Sequence, residues 1–299
     1  MRTLPTIAIL VFLLLLTACT TTTPIATPDA PVVISPPAKR PPRVGLALGG
    51  GAARGFAHVG VIQALEEAGI KVDLVVGTSA GSLVAAIFAS GKNAAQLQQT
   101  ALAMEEAEIT DWTLPFFGKG VLRGEALARY VNAQVGGKLI ENMALPLGVV
   151  ATDLRTGQGI LFQRGDTGAA VRASSAVPSV FNPVRIGNAE YVDGGLVSPV
   201  PVRYARQMGA DIVIAVDISS APEGNSADNQ LQILLQTFAI MGQSINSFEL
   251  KDADIVVRPA LVGVKSGDFT AKRRAMEAGK LAMANAMAQL KMHIDARAK

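Results

Sequence analysis

The segment VDLVVGTSAGSLVAAI, residues 72–87, leaves the chain few ways to fold. An apolar run stops at the pentapeptide Gly77-Thr78-Ser79-Ala80-Gly81, and an apolar, alanine-rich run follows at once. The first run reads as a buried strand and the second as a helix, with only a very tight turn between them. Such a turn has no room for side chains on either side of its serine, and Gly77 and Gly81 supply that room. The serine hydroxyl then stands at the carboxyl end of a strand and at the positive end of a helix. A strand running straight into a helix is the repeating unit of a parallel α/β sheet, so the fold class follows from this turn.

A second unit of the same kind precedes it. Arg43 to Leu48 alternates into an apolar strand, Gly49-Gly50-Gly51 is a glycine loop, and Phe56 to Ala68 a helix with Val59, Ile62 and Leu65 at three-residue steps. Gly69 stops that helix. The spacing predicts strand 72–76 and a helix over Ser82 to Ala89. Residues 92–143 read as mostly helical, interrupted by Trp112 to Gly118. Leu147 to Thr152 is a strand ending at Asp153, and Gly159 to Gln163 an edge strand. Ala169 to Ser174 is helical, and Pro178 and Pro183 bracket an irregular loop. Tyr191 to Asp193 is a short strand entering the turn Gly194-Gly195. Asp211 to Ile218 and Asp254 to Arg258 are strands, residues 220–229 a polar loop, and Leu231 to Phe248 and Ala271 to Lys299 helices.

A nucleophilic serine needs a base, usually histidine. The chain has 2 histidines. His58 lies on the helix after the glycine loop, among its packing residues, and His293 lies near the charged end of the last helix. Neither sits in a loop after a late strand, where a triad needs it. Carboxylates are the alternative. Asp153 and Asp193 both stand at the carboxyl ends of predicted strands, the edge where α/β sites form. Each also has a plainer reading, Asp153 as a turn cap and Asp193 as an Asp-Gly turn. The glycine loop offers backbone N–H groups at a helix N-terminus, suited to a phosphate or an oxyanion. A dinucleotide site would want an acid at the carboxyl end of the second strand, and Asp73 lies at the other end.

The first residues read as an address. Met1-Arg2, the apolar run Ile7 to Leu16 and then Leu16-Thr17-Ala18-Cys19 fit a signal peptide over residues 1–18. The last four residues resemble the bacterial lipoprotein box. That resemblance implies lipidation of Cys19 and, with Thr20 in place of Asp, an outer-membrane location facing the periplasm. Residues 19–42, rich in Thr, Pro and Ala, read as a flexible tether. A single cysteine excludes an internal disulfide. The net charge of +3 is modest and its Lys and Arg are scattered, which argues against a nucleic-acid partner.

Three motifs in order, Gly49-Gly50-Gly51-Ala52-Ala53-Arg54-Gly55, Gly77-Thr78-Ser79-Ala80-Gly81 and Asp193-Gly194-Gly195, resemble the patatin-like phospholipase family. Ser174-Ser175-Ala176-Val177-Pro178, Phe181 and Pro183-Val184 fit it too. The resemblance implies a three-layer α/β/α fold with a mostly parallel central sheet. It places a catalytic domain over residues 44–205, with 206–299 as an α/β extension of the same unit. It implies a Ser79–Asp193 dyad, with Ser79 as nucleophile and Asp193 as general base. An oxyanion hole from Gly49, Gly50, Gly51, Arg54 and Gly55 goes with it, and no metal or cofactor. The substrate would be a phospholipid or another acyl-ester lipid. A non-catalytic lipid-binding or envelope-assembly lipoprotein is the alternative, and the oligomeric state is left open. The Trp112 to Phe117 cluster reads as a lid or a packed loop. Met283, Met287, Leu290 and Ile294 read as a core stripe or a membrane-facing one.

Overall fold

Strands buried on both faces show where the sheet lies. In the computed structural model, which describes residues 41–111, 120–222 and 227–298, β1 (Val44–Leu48), β2 (Leu74–Thr78), β4 (Leu147–Asp153) and β9 (Ile212–Val216) are buried throughout. Their side chains divide by the two-residue period of a strand. Leu46, Leu48, Val75, Val149, Ile212 and Ile214 enter one apolar cluster, and Ala47, Leu74, Val76, Val150, Val213 and Ala215 enter another. Helices cover both, which gives the three layers. The first face carries α1 (Phe56–Glu67), α2 (Ala80–Ala89), α3 (Ala94–Ala103) and α9 (Lys272–Ala298). The second carries α7 (Val202–Gln207).

The sheet runs β10 (Ile255–Val257), β9, β1, β2, β4, all parallel, and continues through β8 (Ala189–Asp193), antiparallel to β4, and β7 (Val184–Ile186), antiparallel in turn to β8. β5 (Gly159–Phe162) also pairs with β4, antiparallel. Strand β4 thus has three partners for its two edges. β2 takes Leu147 to Val150, β8 takes Ala151 to Asp153, and β5 spans Val149 to Thr152. One edge of a strand holds one partner at a time. β5 therefore occupies one edge of β4, and β2 and β8 share the other, end to end.

The remaining elements are α4 (Glu106–Ile109), β3 (Gly120–Leu122), α5 (Glu125–Gln134), α6 (Thr167–Ser174), β6 (Ser179–Phe181) and α8 (Gln230–Glu249). Three short strands, β3, β6 and β7, are absent from the sequence reading, and β6 lies inside the expected irregular loop between Pro178 and Pro183. Each has 3 residues, too few to show a period. Strand β2 starts and ends two residues later than expected, and α2 begins at Ala80, directly after the serine.

Helices α1 and α9 cross where both are glycine. A Cβ on Gly60 would lie 1.8 Å from the Met276 carbonyl, and one on Gly279 would lie 1.9 Å from that of Ala57. Backbone contact at that crossing lets Met283 and Leu290 reach the core, where both are fully buried. Met287 and Ile294 pack against the same cluster, so the α9 stripe is core. The expected signal segment, Cys19, the expected tether as far as residue 40 and Trp112 to Phe117 lie outside the described residues.

Candidate active site

The strand that ends at Thr78 turns into α2 through a single residue, Ser79, held at φ 53° and ψ −125°. A non-glycine residue at positive φ costs about 1–3 kcal/mol and persists only where its surroundings fix it. They do so here. A Cβ on Gly77 would come within 2.4 Å of the Gly81 backbone, and one on Gly81 within 2.1 Å of the Leu48 carbonyl. The Ser79 N–H donates to Ser174 Oγ at 2.9 Å, and that hydroxyl donates onward to the Val150 carbonyl at 2.5 Å. Thr78 Oγ1 donates to the Ser198 carbonyl at 2.9 Å.

Asp193 arrives from the opposite direction. The sequence placed it at the carboxyl end of a strand, on the edge shared by the parallel strands. In the structure β8 is antiparallel, so its carboxyl end points back toward the end of β2. Thr78 pairs with Val150 and Asp193 with Ala151, the next residue. The Asp193 backbone is pinned on both sides, its N–H donating to the Ala176 carbonyl at 3.0 Å and its C=O accepting from Thr152 Oγ1 at 2.8 Å. Carboxylate Oδ1 accepts the Gly195 N–H at 2.6 Å. Oδ2 is buried and has no hydrogen-bond partner among the described residues. The Ser79 hydroxyl is close enough to draw the Asp193 pKa down, yet it forms no well-aligned hydrogen bond in this resting geometry. Burial acts the other way and prevails, raising the carboxyl from 3.8 to about 6.

Asp153 serves a different purpose. Its Oδ1 accepts the N–H groups of Arg155 and Thr156 at 3.0 and 2.8 Å, chiefly the Thr156 bond holding its pKa below the usual range. It is a turn cap. Asp73 accepts the Val44 N–H at 2.9 Å, at the amino ends of the strands.

The glycine loop faces Ser79, and a Cβ on Gly50 would lie 3.1 Å from Ser79 Cβ. Its donors are not all free, which changes the expected set. The Gly49 N–H donates to the Val216 carbonyl and that of Gly50 to the Pro199 carbonyl, both at 3.0 Å. Neither can turn to an oxyanion without breaking a backbone bond. The N–H groups of Gly51 and Ala52 have no acceptor among the described residues. Ala52 is itself strained, at φ 49°. Arg54 does not aim at the site. Its Nε and Nη2 donate to the carbonyls of Ile218 and Ser219 at 2.7 and 3.0 Å, fastening the loop to the chain after β9. Gly55 packs on the elbow, where a Cβ would lie 2.9 Å from Ala80 Cβ.

His58 and Ser174 are contacts the sequence did not disclose. His58 is fully buried, and its Nε2 lies 2.8 Å from the Gly49 carbonyl. Burial lowers its pKa to about 4, so the ring is neutral at physiological pH and donates from Nε2 to that carbonyl. It braces the glycine loop from behind. His293 is half-buried near the end of α9 and paired with Arg297. No local signal marks Ser174, since its role depends on two partners distant in the chain.

Beside Ser79 an apolar cavity of about 160 Å³ opens between α1, α2, α3 and α5. Its lining among the described residues carries no charged side chain. Leu83, Val84, Leu127 and Tyr130 line it, together with Ala52 and Ser79.

Comparison with known proteins identifies the family. A family model described as patatin-like phospholipase matches residues 46–206. An uncharacterized NTE family protein of Mycobacterium tuberculosis is 34% identical over 225 residues, 73% of this chain and 61% of that one. Patatin-like phospholipase domain-containing protein 6 of Mus musculus is 35% identical over 189 residues, 60% of this chain and 14% of that one. The chain thus spans less than two thirds of the length of these curated relatives. Among solved structures, VipD from Legionella pneumophila superposes with a TM-score of 0.56 at 16% identity, over 85% of this chain and 67% of that one. ExoU of Pseudomonas aeruginosa, in complex with SpcU, superposes with a TM-score of 0.50 at 15% identity, over 86% and 53%. Those two likenesses concern the fold, while the matched model spans the glycine loop, the serine elbow and Asp193-Gly194-Gly195 alike. The chain belongs to the patatin-like phospholipase family.

Proposed function

We propose that the protein is a serine acyl hydrolase acting on lipid esters, with Ser79 as nucleophile and Asp193 as general base. One observation carries the reading: a strained serine abuts a buried carboxylate whose second oxygen has no hydrogen-bond partner among the described residues. As Ser79 Oγ attacks the ester carbonyl, its proton passes to Asp193 Oδ2. The carbonyl oxygen becomes an oxyanion, stabilised by the N–H groups of Gly51 and Ala52 and by the N-terminus of α2. Collapse breaks the ester bond, and the leaving alcohol takes the proton from Asp193. Water then attacks the acyl-serine, Asp193 accepts its proton and returns it to Ser79 Oγ, and the fatty acid departs. A base whose pKa is about 6 suits this exchange, being mostly ionised at neutral pH yet still a proton acceptor.

The family's name and the uncharged cavity support a lipid substrate. We infer further that Cys19 carries a lipid anchor holding the domain at the periplasmic face of an outer membrane; the basis is the lipoprotein-like sequence alone. Ester hydrolysis by the wild-type protein, Ser79→Ala and Asp193→Asn tests the first reading. Equal rates in wild type and Ser79→Ala would sink it. Membrane fractionation of Cys19→Ala tests the second, and an unchanged distribution would exclude lipidation as the sole attachment.

A further inference from the structure

Two adjacent residues beyond the Asp193 turn touch every part of the site. The Ser198 carbonyl accepts the hydroxyl of Thr78, the residue before the nucleophile, at 2.9 Å. The Ser198 N–H donates to the carbonyl of Gly194, the residue after the base, at 2.9 Å. The Pro199 carbonyl accepts the Gly50 N–H at 3.0 Å, which holds the glycine loop just ahead of the Gly51 and Ala52 donors. Elbow, base and oxyanion loop thus share one dipeptide as a backbone partner, and Ser198 within it is fully buried.

That dipeptide is held from outside by one helix. Most of α8 is exposed or half-buried, and its buried residues are only Gly242, Asn246 and Glu249. Their spacing of four and three residues puts them on one face. The face rests on the dipeptide. A Cβ on Gly242 would lie 3.6 Å from Pro199 Cγ, and Glu249 Oε1 accepts the Ser198 hydroxyl at 2.6 Å. The same oxygen accepts the Arg203 N–H at 3.3 Å, with Arg203 Nε 3.9 Å away. A carboxyl is a costly side chain for such a place. Burial pushes it above the usual carboxylate range, and Oε2 has no hydrogen-bond partner among the described residues. Leucine would fill the space without that penalty. What the acid adds is a directed acceptor for Ser198, and Oε1 can accept whether or not Oε2 carries a proton.

We infer that Glu249 is a positioning residue for the Ser79–Asp193 site: by holding the Ser198 hydroxyl it fixes the Ser198–Pro199 backbone, and through that backbone the mutual placement of elbow, base and oxyanion loop. The inference rests on the hydrolase reading above and adds a residue from the far end of α8 to its machinery. Neither Glu249 nor Ser198 lines the cavity beside Ser79. Loosening them therefore slows the chemical step and spares substrate binding.

The test is steady-state hydrolysis of p-nitrophenyl butyrate by the full chain, with kcat expressed per folded molecule and melting followed alongside. Glu249→Ala is expected to lower kcat about 10²-fold, the cost of a misplacement near 1 Å, with KM nearly unchanged. Glu249→Gln keeps an acceptor for the Ser198 hydroxyl and should restore kcat to within about threefold of wild type. Ser198→Ala cuts the same bond from its other end, and it serves if Glu249→Ala does not fold. Its loss should match that of Glu249→Ala. The double variant should be no slower than either single one, because both remove one interaction. A single alanine variant that melts lower yet keeps the wild-type kcat overturns the inference. So does a loss confined to KM, a glutamine variant as slow as the alanine one, or losses that multiply in the double variant. If Ser79→Ala still abolishes hydrolysis, the dyad survives any of these results. A wild-type protein that cleaves no ester removes both.

Discussion

Thr78 and Asp193 pair with consecutive residues on one edge of β4, Val150 and Ala151. More than a hundred residues apart in sequence, they are the facing ends of β2 and β8. Strand β2 vacates the edge because the chain turns off at Ser79, and β8, running the other way, fills what is left. The abutment puts the first residue beyond β2 next to the last residue of β8.

Gly194 is where that abutment is tightest. A Cβ there would lie 2.2 Å from the Val150 carbonyl and 3.1 Å from Thr78 Cγ2. Gly194→Ala must push β8 off the end of β2. Esterase activity is expected to fall about 10²-fold, the cost of a misplacement near 1 Å. Stability should fall by about 1–3 kcal/mol. Steady-state kinetics and thermal melts check both.

The raised carboxyl of Asp193 sets a pH dependence. Its base form is required, so kcat/KM should fall through a half-point near pH 6 as the solution is acidified. The stability effect has the opposite sign. A carboxyl whose pKa is higher in the folded state favours folding when protonated, and that advantage is lost as pH rises through about 6. Asp193→Asn should therefore melt higher than wild type at pH 8, by roughly 1–3 kcal/mol, and the gap should close toward pH 4.

Ser174→Ala removes the hydroxyl that accepts the Ser79 N–H and donates to the Val150 carbonyl. Each orphaned group costs about 1–3 kcal/mol if left without a partner. The elbow should relax from its strained φ, and kcat should drop with little change in KM. A kcat equal to wild type would show that the elbow does not depend on this hydroxyl.

His58→Phe leaves the Gly49 carbonyl unpaired and frees the glycine loop to shift. A displaced oxyanion donor costs as much as 10²-fold in kcat. His58 also has a depressed pKa, so its contribution to stability is present above about 6.5 and is lost as pH falls toward 4. The phenylalanine variant should lose that acid sensitivity, measurable as a flatter melting temperature between pH 6.5 and 4.

The amino-acid sequence by itself determined the local units. Apolar runs of five or more residues, glycines at the elbow and three-residue helical steps are short-range signals, and they located β1, α1, β2, α2 and β4 to within about two residues. They also identified Ser79 and the glycine loop, because a tight turn restricts which residues fit it. Tertiary structure decided the partners. The direction of β8, the shared edge of β4, the Ser174 bridge and the commitment of the Gly49 and Gly50 N–H groups all rest on pairings between residues far apart in the chain. Hydrogen bonds across such distances leave no period in the sequence, and a short strand reads the same in either direction. The Asp193 pKa follows from the same cause, since burial against β2 and β4 exists only once the sheet is assembled.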